Sequence, residues 1–249
     1  MRLARIQTPM GPRPVVQDGS NWAVVKDLFA DEPERTGEFY PVDGAQLLAP
    51  ARPMVVLGMA HNNGPSDRLL APQAFSKSAR SVVGPGQAIE LDTSLGEINI
   101  EGELAVVIGR SCRRLTPEQV PGVILGYCIG NDVTNVDQAS LDEKATQVKN
   151  GDGYTPLGPW IETELDADHV HIDVRLDGKP VASSNTDRLA WAISEQLVAL
   201  TRYLTLGPGD VLLTGSPTTW ATITPGQQAE ITIEGIGTLS NPAIAVPQA

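Results

Sequence analysis

Glycine and proline recur so often in this chain that almost no segment runs long enough at a helical period to build a helix. There are 24 Gly and 20 Pro among 249 residues. Between the breaks lie short apolar or alternating runs, which read as strands. They cover residues 3–7, 22–25, 54–59, 81–92 around a Gly-Pro-Gly turn, 100–109, 123–133, 170–176 and 179–183, and the VLLTGSP segment that opens at Val211. Asp177-Gly178 between two of these runs is a strong hairpin signal, and Asp18-Gly19 is another. The clear exception is residues 188–204, where Leu189, Ala192, Ile193, Leu197, Leu200 and Leu204 recur at three and four residues and stop before Gly207-Pro208-Gly209. A shorter helix is expected over 115–120, with Thr116 as N-cap and Pro117 as first helical residue.

Residues 60–73 are rich in turn formers and read as a mobile loop. The stretch 134–153 is polar and irregular, and three glycines and two prolines within residues 151–160 argue against regular structure there. With no βαβ alternation and no internal repeat, the fold class is mainly β with peripheral helices (α+β). Residues 1–53 read as a small amino-terminal β subdomain, leaving through Ala51-Arg52-Pro53, and residues 54–249 as the main domain.

A net charge of -12, with 18 scattered Lys and Arg, argues against nucleic acid as a partner. The amino terminus lacks a signal-peptide core and no apolar run approaches a bilayer span, so a cytoplasmic protein with no membrane partner is expected. Cys112 and Cys128 read as buried thiols, and His61, His169 and His171 are too few and too dispersed for a zinc site.

The run IEGELAVVIG, from Ile100 to Gly109, places Glu101 and Glu103 on one face of a strand, because side chains two apart are neighbours. Ordinary alternation explains them as a solvated face: Glu97, Asn99, Glu101 and Glu103 are polar, whereas Ile98, Ile100, Leu104 and Val106 are apolar. The chemical explanation is a metal, with Asp132 in IGNDVT as a third oxygen ligand. An all-oxygen donor set selects Mg²⁺ or Mn²⁺, with Ca²⁺ also allowed. Three carboxylates on one dication leave excess negative charge, and Lys149, just before the Gly-rich turn, is the cation best placed in sequence to offset it.

These segments, with KNGDGYTPLGPW, LTLGPGDVLLTGSP, IEGIGTLSNP, FSK at 75–77 and VVGPG at 82–86, resemble the fumarylacetoacetate hydrolase family in the family's own order over about residues 54–243. The resemblance implies a β-roll and, usually, a homodimer. It implies a metal-stabilised enolate of a small-molecule 2-oxo acid or diketone substrate. The simplest expectation is carbon–carbon bond hydrolysis of an acylpyruvate-like compound. By motif position, Glu101, Glu103 and Asp132 are similar to the family's metal ligands and Lys149 to its active-site lysine. Thr214, Gly215 and Ser216 match its substrate-contact turn, and Lys77 is a further candidate facing the site.

Two departures bear on the reaction. The family pattern G-x-N-Y-x-x-H-x-x-E, started at Gly58, puts Gly64 at the His of a catalytic dyad and Asp67 at its Glu, leaving His61 as the available imidazole. In NDVTNVDQA, Val136 takes the place of a substrate-binding Arg and Ala139 that of a Gln, which points to a less charged or bulkier substrate. Isomerase, tautomerase or decarboxylase activity, needing no activated water, is the alternative. A catalytically inactive binding subunit is the third.

Overall fold

The computed structural model describes residues 1–246 as two sheets packed face to face, one of 14 strands and one of 5. The long strand Ile98–Ile108 runs through the middle of the larger sheet. On one side it pairs antiparallel with Ile124–Asn131, which in turn pairs with Thr155–Glu162. On the other side it pairs with Val211–Leu213, itself parallel to Val56–Ala60, and Gln73–Lys77 closes that edge. The smaller sheet has the order Lys179–Asn185, His171–Leu176, Gln228–Ile233, Gly237–Ala245 and Ile89–Leu91. Among the described residues, no helix is long and apolar enough to cross a membrane.

The largest apolar cluster lies between the sheets, where Ile100, Leu104 and Val106 meet Ile172, Val174, Ile231 and Ile233. Gly102 lies in the middle of this contact. A Cβ there would come within 2.9 Å of Val174 and 3.1 Å of Ile231, so a bare backbone is what lets the smaller sheet approach. Because side chains alternate, that close face carries residues 100, 102 and 104, and Glu101 and Glu103 project from the other. The solvated-face explanation of the glutamates fails, since Glu103 is 2% exposed and both faces of the strand are packed.

The amino-terminal strands join the larger sheet through Arg2–Thr8, which pairs with Thr155–Glu162 in the register Leu3↔Ile161. Gly11–Asp18 and Asn21–Val25 form the expected hairpin with Gly19-Ser20 as its loop, one residue beyond the Asp18-Gly19 expected. The Asp177-Gly178 turn forms as read, both residues at positive φ.

Four expectations are corrected. Thr155–Glu162 is an eight-residue strand despite its prolines. Its antiparallel ladder to Ile124–Asn131 is irregular between Tyr127 and Ile129, and Gly158-Pro159 is cis. The helix expected over 188–204 spans only Ile193–Leu200, because the backbone N–H and C=O of Trp191 are taken by the side chain of Asn62, and Ala192 is extended. The 134–153 stretch holds a short strand, a 3₁₀ turn and the helix Thr146–Lys149. The 115–120 helix is a 3₁₀ segment, Pro117–Gly122, where the Gln119 carboxamide accepts from the Thr116 N–H.

Candidate active site and metal centre

Each ligand candidate comes from a different step of the fold. Glu101 and Glu103 project from the central strand, and Asp132 follows the end of the neighbouring strand Ile124–Asn131. The Asp132 N–H donates to the Glu101 carbonyl at 3.0 Å, and the Glu101 N–H donates to the Asn131 side chain at 3.0 Å, so backbone and side chain fix the three together. One carboxylate oxygen from each lies within 4.8 Å of the others.

Two ammonium groups answer this cluster. Lys149, at the end of Thr146–Lys149, donates to Asp132 Oδ2 at 2.6 Å and to Thr134 Oγ1 at 2.5 Å, and lies 3.5 Å from Glu101 Oε2. The Thr134 hydroxyl donates in turn to Glu101 Oε1 at 2.7 Å. Lys77, fully buried, donates to the other Asp132 oxygen and to the Val133 carbonyl at 3.3 Å. Its contact with Asp132 fixes the orientation of that carboxylate. The Lys149 ammonium also lies 4.8 Å from the Phe75 ring centre, and Phe75 covers Gly58, where a Cβ would fall 2.4 Å from the ring.

The electrostatics divide the carboxylates. Burial pushes Asp132 up, but Lys77 and Lys149 outweigh it and hold the group below the usual carboxylate range. Burial also raises Glu101, with Lys149 opposing. Glu103 is pushed well above the usual range by burial, then by Asp132 and Glu101, with the Gly215 N–H as partial relief at 2.7 Å. With all three ionised, the carboxylates against two ammoniums would leave one net negative charge, and Glu103 is where burial and its neighbours most oppose it. This donor set fits a hard divalent cation, which would favour ionised Glu103.

The Thr214–Ser216 turn lies beside the centre. Thr214 donates its hydroxyl to the Leu104 carbonyl at 2.8 Å, and Gly215 has φ +108. The loop expected to be mobile is tied to this turn. Asn62 is fully buried and donates to the Thr214 carbonyl at 2.6 Å, the Ser216 N–H donates to Asn63 at 3.2 Å, and Arg68 stacks on Trp191 and pairs with Glu195. Asn62 is a residue the sequence reading missed. Its only sequence signal is a turn-forming Asn pair, and its partners are more than a hundred residues away. A Cβ on Gly215 would lie 2.4 Å from the Asn62 carbonyl oxygen, so Gly215→Ala combines a clash with a disfavoured φ. We expect it to cost about 1–3 kcal/mol, measured by chemical denaturation.

His61 stands apart from this set. It ends the Val56–Ala60 strand at φ +54, its side chain is exposed, and it makes no hydrogen bond among the described residues. Asp67 is engaged locally, accepting from the Asn63 N–H at 2.8 Å. Val136 is 37% exposed, and Trp220, directly across the strand pair from Glu101, is 52% exposed.

Residues 48–244 match the family described as fumarylacetoacetate (FAA) hydrolase C-terminal, and residues 1–50 match that described as Rv2993c-like, N-terminal. Protein Rv2993c of Mycobacterium tuberculosis is 34% identical over 98% of both chains. The maleylpyruvate hydrolase of Aquipseudomonas alcaligenes is 31% identical over 67% of this chain and 58% of its own. The crystal structure of 5-carboxymethyl-2-hydroxymuconate delta-isomerase from Mycobacterium smegmatis superposes with a TM-score of 0.94 at 35% identity, over 99% of this chain and 100% of that one. With the family matched across most of its length and the whole fold shared, the chain belongs to the fumarylacetoacetate hydrolase family.

Proposed function

We propose that this protein is a divalent-metal-dependent enzyme acting on a 2-oxo acid or β-dicarbonyl compound, and that it hydrolyses the carbon–carbon bond of an acylpyruvate-like substrate. The observation that carries this reading is the convergence of Glu101, Glu103 and Asp132 with Lys149 on one strand-end cluster. A Mg²⁺ or Mn²⁺ ion held by the three carboxylates would supply Lewis-acid stabilisation of negative charge developing on substrate oxygens. In the hydrolysis, water adds to the acyl carbonyl, the carbon–carbon bond electrons pass to the pyruvate fragment, and a proton completes it. Lys149, kept cationic because Asp132 and Glu101 outweigh its burial, faces that charge and fixes the substrate's orientation. The Thr214–Ser216 turn, held by Asn62 and Asn63, forms the wall beside it. Trp220, exposed and paired across the strands from Glu101, gives apolar surface beside the centre, which supports a substrate whose far end is uncharged.

Purified protein with Mn²⁺ and an acylpyruvate is expected to release pyruvate and the free acid in equal amounts, and Lys149→Ala to lower kcat by roughly 10²–10⁴-fold. Lack of turnover across a panel of acylpyruvates and oxaloacetate would instead favour an inactive binding subunit.

A second reading, isomerisation or tautomerisation, draws support from the exposed ring of His61, which has no hydrogen-bond partner among the described residues, and from the local tie of Asp67, since neither stands ready to activate water. The similarity to a delta-isomerase agrees with it. Enol–keto exchange without pyruvate release would select this reading over hydrolysis.

A further inference from the structure

A cavity of about 620 Å³ opens on the flank of the molecule where the amino-terminal strands meet the rest of the chain, and it shares no lining residue with the carboxylate centre. Three arginines line it, each delivered by a different segment. Arg5 comes from the Arg2–Thr8 strand opposite Leu48, Arg52 from the segment before the Val56–Ala60 strand, and Arg80 from the 3₁₀ turn Ala79–Ser81. No Asp or Glu lines the cavity, and among the described residues none of the three guanidiniums pairs with a carboxylate. In a chain of net charge -12, three cations facing one space without an acid is a marked local reversal.

The wall is built rather than incidental. Arg5 is half-buried and held by donation to the Ala49 carbonyl at 2.9 Å. Gln87 accepts from the Gly84 N–H at 2.6 Å, which leaves its amide NH₂ without a hydrogen-bond acceptor among the described residues. Gly84 packs so closely on the Leu48–Ala49 backbone that a Cβ would fall 2.4 Å from the Ala49 nitrogen. Burial, and secondarily the charge of Arg52, lower the pKa of Arg5. Leu48, Pro53 and Val82 supply apolar surface beside the charges.

We propose that this cavity binds a multivalent oxyanion, a small organic molecule bearing phosphate or several carboxylates. The planar guanidinium forks donate bidentately to such groups, Gln87 adds a neutral donor, and the apolar wall takes the organic body. The volume is that of an ordinary small-molecule site.

The test is calorimetric titration of the full-length protein in metal-free buffer with pyrophosphate and, separately, with citrate. We expect one-to-one saturable binding of at least one of them, and the two arms distinguish phosphate from polycarboxylate chemistry. Arg52→Gln/Arg80→Gln, both exposed positions, should weaken it at least 10-fold. Arg113→Gln/Arg202→Gln, an exposed pair outside the cavity, should leave it unchanged, with circular dichroism confirming that both variants are folded. The proposal falls if neither anion saturates, if the two double variants weaken binding equally, or if Arg52→Gln/Arg80→Gln only dissociates an oligomer, which would make the cavity a contact between copies.

Discussion

Glu103→Gln is expected to weaken Mn²⁺ binding by at least about a hundredfold, because altering only the hydrogen-bonded neighbours of a ligand already costs roughly 10–100-fold. The substitution isolates the metal from the fold. Glutamine keeps an oxygen for the Gly215 N–H, now 2.7 Å from Glu103 Oε2, and removes a buried acid crowded by Asp132 and Glu101. The metal-free variant should therefore unfold at the same temperature as the parent or higher. The pH dependence carries the same signature. Glu103 is held well above the usual carboxylate range, so an ion bound there would compete with a proton. In the parent, Mn²⁺ affinity should rise with pH until Glu103 is fully ionised, and titration in buffers of different ionisation enthalpy should show proton release. Both effects should shrink in Glu103→Gln. Equal Mn²⁺ affinity in the two proteins would remove Glu103 from the metal centre.

Asp132→Asn should produce the largest loss of stability, about 3–5 kcal/mol, through the lysines it abandons. Asp132 is 1% exposed and accepts from Lys77 on one oxygen and from Lys149 on the other. Neutralising it leaves the fully buried Lys77 ammonium without its main counter-charge. The lysine's pKa is already lowered by burial, with Asp132 opposing, and would fall further once that opposition is gone. A base whose folded pKa lies below its unfolded one costs stability as pH falls, so the defect should narrow as pH rises toward the ordinary lysine range. Lys77→Met added to Asp132→Asn should recover much of the loss, since the unpaired charge goes with it. Urea denaturation of the parent and the two variants measures all three. Stability of Asp132→Asn within about 1 kcal/mol of the parent would mean that water, rather than Asp132, satisfies the lysines.

The strands and the Glu101–Glu103 pair were legible in the sequence because their signals are local, whereas Asp132 was tied to them by the order of the motifs. Alternation places Glu101 and Glu103 on one face without reference to anything distant, and Asp177-Gly178 closes its hairpin within two residues. What stayed hidden depends on partners far along the chain. Nothing local says that Asn62 will bind the backbone at Trp191 and Thr214, yet that contact shortens the helix expected over 188–204 and anchors the loop expected to be free. Thr155–Glu162 was masked by its prolines, whose missing donors an irregular ladder tolerates. Glu103 looked solvent-facing because alternation reports which face a residue occupies, not what covers that face. The short helix bearing Lys149 follows a polar stretch with no periodicity to betray it.

Gly102 sets a condition for moving this centre into another protein. The two glutamates are separated by a residue that must have no side chain, because Val174 and Ile231 press on it from the opposite sheet. A graft that copied Glu101, Glu103, Asp132 and both lysines onto a host strand carrying alanine at the middle position would reproduce every donor and still push the layers apart. The portable unit is thus Glu-Gly-Glu together with the apolar sheet behind it, and a designer choosing a scaffold should screen for the thickness of the sandwich before the placement of the ligands.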